Sequence, residues 1–134
     1  MNPMLAMRQY QKVNSVAQTS EASPHRLVQM LMEGGLDRMA QAKGALARGD
    51  IAAKGLMLGK AADILIGLRD GLSAEKSDNK EYVQQLEGLY VYMTNRLMEA
   101  NLHNDADMID EVARLLITVK EGWDAIGAPQ GAAQ

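Results

Sequence analysis

Between Pro24 and Pro129 the chain contains no proline, and over most of that stretch its apolar residues recur at intervals of three and four. A proline inside a helix removes a backbone hydrogen bond and clashes with the preceding turn. A long stretch without one, patterned at the helical period, predicts helices joined by short breaks.

The first helix is predicted from about Pro24 to Arg48. Ser23 is placed to accept from a free N–H of the first turn, and Pro24 gives up a hydrogen bond that would be unmade anyway. Its apolar face is Leu27, Leu31, Gly34/Gly35, Met39, Ala42 and Leu46. The triplet Arg-Gly-Asp at 48–50 then breaks the chain, Gly49 ending one helix and Asp50 capping the next. The second helix runs from Ile51 to about Leu72 with a main stripe of Ile51, Gly55, Leu58, Ala62 and Leu65. A second stripe, Met57, Ile64 and Leu68, lies roughly 100° around the axis, which makes the apolar arc wider than one packed face needs.

A polar stretch at 73–81 follows, in which Asp78 and Glu81 resemble a capping box. The third helix continues to Asn101, with Tyr82, Leu86, Leu89, Met93, Leu97 and Ala100 on one face, widened by Val83 and Tyr90. After the break at 101–105 comes a fourth helix carrying Ile109, Val112, Leu116, Val119 and Trp123 at helical spacing. Residues 4–17 fit a short amphipathic helix, tethered by a polar linker. The expected architecture is all-α: an antiparallel up-down four-helix bundle with an additional short N-terminal helix. Its parts are a mobile helix and linker at 1–22, the bundle at 23–126 and a disordered tail at 127–134.

Composition narrows the function. Of 134 residues, 47% are hydrophobic, with ten Met, four Tyr, one Trp and no Phe, so aliphatic and Met side chains must fill the interior. Fourteen basic against 17 acidic residues, without clustering, give no electrostatic footprint for nucleic acid. No cysteine is present, which excludes disulfides and thiolate metal sites. No apolar run reaches the roughly 18 residues of a membrane span, and the start of the chain lacks the pattern of a secretory signal. A cytoplasmic protein is expected.

Catalysis has little to work with. His25 and His103 sit near predicted helix ends, where a histidine is expected to be a solvated polar residue. Glu99 precedes His103 by four residues, whereas a di-iron bundle needs Glu-x-x-His twice. No Gly-Lys-Ser/Thr phosphate loop is present. The chain is therefore read as a non-enzyme without cofactor or metal. The helix glycines are more informative, since each costs about 1 kcal/mol relative to Ala. They suit tight helix packing, or a groove in which a foreign chain lies against the backbone. The pair Gly55 and Gly59 permits close backbone approach. The widened faces of the second and third helices mark a partner surface, and homodimerisation would use the same surplus.

Several stretches then carry a family likeness: YQKV at 10–13, ASPHRLVQMLMEGGLDRMAQAKGALARGDIAAKG at 22–55, LRDGL at 68–72, LYVYM at 89–93, LMEANLHND at 97–105 and VKEGWDAI at 119–126. In this order and spacing they resemble the flagellar secretion chaperone FliS family, over nearly everything from Tyr10 to Ile126. The family often has Tyr-Asp-Gly-Ala where this chain has Met-Glu-Gly-Gly at 32–35. The resemblance implies a cytoplasmic, non-catalytic bundle that holds the disordered C-terminal segment of flagellin. It also implies that the chaperone prevents premature polymerisation and helps deliver its client to the export gate of the flagellar type III apparatus. On the resemblance, Tyr10 matches a region that affects client binding, and Met7 is its helical neighbour. Apolar surplus adds Met57, Ile64, Leu68 and Tyr90 as candidate groove residues. A generic helical dimerisation or adaptor protein is the alternative, and a metal or phosphotransfer bundle a weaker one.

Overall fold

The computed structural model describes residues 23–72 and 80–133, with side chains as far as Gly127. The expected N-terminal helix, with Met7 and Tyr10, and the Asp78 half of the capping box lie outside the described residues. Among those described there are four helices and no strand: α1 (Pro24–Ala47), α2 (Ile51–Leu72), α3 (Lys80–His103) and α4 (Ala106–Ala133).

Local chemistry sets the boundaries. Ser23 Oγ accepts from the Arg26 N–H at 3.1 Å, capping α1 just before Pro24. Gly49 turns the chain with φ +75°, a left-handed conformation that glycine adopts without a Cβ clash. Asp50 Oδ1 then accepts from the Ala53 N–H at 3.1 Å at the start of α2. The break after α3 uses Asn104 at φ 53°, a residue that tolerates the left-handed region. Asp105 Oδ1 accepts from the Asp107 and Met108 N–H groups at 2.9 and 3.2 Å to open α4. The fourth helix does not stop at Ile126 as the small-residue composition of the tail suggests; it runs to Ala133.

Each helix packs on two others, α1 on α2 and α4, and α3 on α2 and α4. All four contribute to one core: Leu27, Leu31, Met32 and Met39 from α1, Leu58, Leu65 and Leu68 from α2, Tyr90, Met93 and Leu97 from α3, and Ile109, Val112 and Leu116 from α4. Burying one such side chain fully stabilises by about 1.5–3 kcal/mol. The Gly34–Gly35 pair belongs to this core. A Cβ at Gly35 would stand 3.3 Å from Leu116 Cδ2 and 3.5 Å from Ile64 Cγ2, so glycine here admits side chains of α4 and α2, not a foreign backbone.

Candidate functional site: an apolar groove between α2 and α3

The second and third helices do not close against each other along their full width. Between them runs an open trough of about 290 Å³. Gly55, Leu58, Gly59, Ala62, Asp63 and Ile66 line it from α2, and Thr94, Leu97, Met98 and Asn101 from α3. These positions recur at three and four residues, so each set shares one side of its helix. Leu58 and Leu97 are buried and form the floor. Ile66 and Met98 stand at the rim, 37% and 64% exposed. Leu102, one turn beyond Met98, is 76% exposed and continues the apolar surface.

The glycines make the trough. A Cβ at Gly59 would meet nothing within 4 Å, and one at Gly55 would meet only Asn101 Oδ1, at 3.6 Å. Packing within the bundle therefore does not require glycine at 59. Its absent side chain leaves α2 backbone open to whatever lies in the groove. Thr94 Oγ1 is occupied, donating to the Tyr90 carbonyl at 2.8 Å.

One end of the groove is polar and built around a buried lysine. Lys54 is 3% exposed, on the core-facing stripe of α2 with Leu58, Ala61 and Leu65. Its Nζ donates to the Asn101 carbonyl at 2.8 Å and to Asn101 Oδ1 at 2.6 Å. That carbonyl lies in the last turn of α3, where no helical N–H remains to reach it and where a cation is favoured by the helix dipole.

The candidate residues from the sequence divide. Ile64, Leu68 and Tyr90 lie in the core, away from the trough, and burial pushes the Tyr90 phenol well above its ordinary pKa. Met57 is partly buried and packs against that core. The second stripe of α2 faces inward, and the open edge carries Gly55, Gly59 and Ile66. Lys54 itself offers a signal, a charged residue four positions before Leu58 and seven before Ala61, in helical register with the buried stripe.

Two further polar assemblies tie helices together. Tyr92 Oη donates to Glu111 Oε2, while Arg96 Nε and Nη2 donate to Glu111 Oε1 at 3.0 and 2.8 Å, joining α3 to α4. The Tyr92 hydroxyl and then the Arg96 guanidinium hold the Glu111 carboxyl below its usual range. Against the expectation of a solvated residue, His25 stacks on Trp123 with ring centroids 4.8 Å apart, joining α1 to α4. Among the described residues no group of three or more His, Cys, Asp or Glu is arranged to hold a metal ion, and no helix is long and apolar enough to cross a membrane.

Residues 6–130 match the family described as Flagellar protein FliS. The chain belongs to the FliS family. Among curated FliS proteins, it is 52% identical over 126 residues to flagellar secretion chaperone FliSB of Pseudomonas aeruginosa, covering 94% of this chain and 98% of that one. It is 43% identical over 121 residues to flagellar secretion chaperone FliS of Vibrio cholerae (90% and 88% coverage) and 40% identical over 121 residues to that of Salmonella typhimurium (90% and 88% coverage). FliS is a chaperone family and not a family of enzymes, which agrees with the non-catalytic reading of the sequence.

Proposed function

We propose that this chain is a cytoplasmic chaperone for flagellin, holding the disordered C-terminal segment of that protein, preventing its premature polymerisation and aiding its passage to the flagellar type III export gate. The observation that carries the proposal is the open α2–α3 trough with its glycine wall, in a chain whose relatives are named flagellar secretion chaperones. An amphipathic client segment aggregates through its apolar face unless another apolar surface covers it, and a groove between helices is a common way to do so. Ordering a disordered client costs about 2–5 kcal/mol, so the contact must extend beyond one pocket. The exposed Met98 and Leu102 enlarge it on one side, and Met7 and Tyr10 are retained as further client contacts on the family resemblance.

The same proposal takes the helices as an antiparallel up-down bundle. Its support is the order of pairings between α1 and α4: Lys43 with Asp110, Glu33 with Lys120 and His25 with Trp123, numbers falling on one helix as they rise on the other.

Calorimetric titration with the C-terminal segment of the same organism's flagellin tests the function. One-to-one binding with a negative heat-capacity change is expected, since apolar surface is buried. A folded chain that takes up no heat and no segment at micromolar concentrations contradicts the proposal.

A further inference from the structure

We propose that the α2–α3 groove is directional: it takes a helical client segment with the segment's carboxyl end at Asn101 and its amino end toward Asp63. This rests on the chaperone reading above and adds the orientation of the bound segment.

The two ends of the trough differ in chemistry. An ammonium group has donors only, so the oxygen that Lys54 Nζ meets at 2.6 Å must be Asn101 Oδ1. The side-chain NH2 of Asn101 is thereby left with its two protons and has no partner among the described residues, while Asn101 lines the groove. Beneath it lies a buried cation whose two hydrogen bonds go to neutral oxygens of one residue. No carboxylate stands within ion-pair reach of Lys54 among the described residues. This end of the groove therefore offers donors and positive potential.

The other end has the opposite character. Asp63 lines the trough eight residues further along α2 than Gly55, roughly 12 Å at the helical rise. It is exposed, and its carboxylate has no hydrogen bond or ion pair among the described residues. Between the two ends the lining is apolar apart from Thr94, whose hydroxyl is already used.

A helix has unmet N–H groups and partial positive charge at its amino end, and unmet C=O groups and partial negative charge at its carboxyl end. Laid in this trough one way round, it offers carbonyls to the Asn101 NH2 and N–H groups to Asp63. Laid the other way, it sets carbonyls against a carboxylate and N–H groups against donors. From Gly55 to Ile66 the groove is about 16 Å long, which accommodates about three turns. The occupant is thus a segment of about three turns with one apolar face, held in one direction by charge complementarity.

The test uses the full chain with Ile and Met methyl labelling and a synthetic peptide of the flagellin C-terminal segment, nitroxide-tagged at one end or the other. The carboxyl-end tag is expected to broaden the Met98 methyl more than that of Ile66, and the amino-end tag to reverse that order. Asn101→Leu should weaken binding about fivefold, the worth of one hydrogen bond. Both tags giving one order, or the reverse of the expected orders, overturns the direction and leaves the chaperone reading standing. No binding of the peptide overturns both. If the two methyl signals answer to dilution of the protein alone, the groove belongs to a second copy. If a nitroxide at Met7→Cys broadens them even under saturating peptide, it belongs to the chain's own start. Either result overturns the proposal.

Discussion

His25 and Trp123, 98 positions apart, lie face to face with 9° between their ring planes, and each side chain donates to the other residue's backbone. His25 Nε2 donates to the Trp123 carbonyl at 2.7 Å, and Trp123 Nε1 donates to the His25 carbonyl at 3.0 Å. The pair clasps the first turn of α1 to the later part of α4. Gln29 donates to Asp124 at 2.6 Å beside it, and Lys120 meets Asp124 at 2.9 Å.

Because the two residues share a stack and two hydrogen bonds, their contributions should not add. Chemical denaturation of His25→Ala, Trp123→Ala and the double variant is expected to give a coupling of about 1–2 kcal/mol. Gly127 offers a second route to the same clasp, since a Cβ there would overlap the His25 ring. Gly127→Ala should lower stability, whereas Gly122→Ala, where a Cβ meets nothing, should raise it by up to about 1 kcal/mol. Equal effects of the two alanines would show the clasp to be loose.

Leu68 separates core from groove. It is 1% exposed, and truncation leaves a cavity. Leu68→Ala should cost about 2–5 kcal/mol on denaturation. A client affinity that falls while stability is unchanged would return Leu68 to the binding surface.

These outcomes also mark what the sequence could reveal. Ser23, Gly49, Asp50 and Asp105 act on their own neighbours within two to five residues, so helix ends are written locally and the breaks fall where the residue types place them. Periodicity likewise gives the angular spread of apolar residues on α2. It does not say where α1 and α3 stand around that helix, and so Ile64 and Leu68 could not be told from Ile66. The His25–Trp123 pair and the Lys54–Asn101 contact join residues far apart in the chain, and no short-range signal records such a meeting.

Stability should fall in acid for identifiable reasons. Hydrogen bonds from Tyr92 and Arg96 hold Glu111 low, and those from Lys120 and Gln29 do the same for Asp124. A carboxyl whose folded pKa is depressed contributes fully above its unfolded value and loses that contribution as pH falls through the folded one. Denaturation midpoints should thus hold down to about pH 4.5 and decline below it, and Glu111→Gln should flatten the decline. At the alkaline end the sign reverses: Tyr92 and Lys120 are raised by bonding to Glu111 and Asp124, so their contribution is lost only above about pH 10. A variant with the unaltered acid slope would remove Glu111 from this account.

The central claim is that the open trough beside Gly59 is where the client lies, and Gly59→Ala tests it most directly. Stability and binding should move in opposite directions. The alanine meets no atom of the bundle within 4 Å, so the helix should gain up to about 1 kcal/mol in denaturation. Calorimetric titration with the flagellin C-terminal segment should meanwhile show weaker binding, and Gly59→Leu, which fills the trough, should abolish it with the helical content intact. Full-strength binding by a folded Gly59→Leu protein would contradict the assignment of the groove.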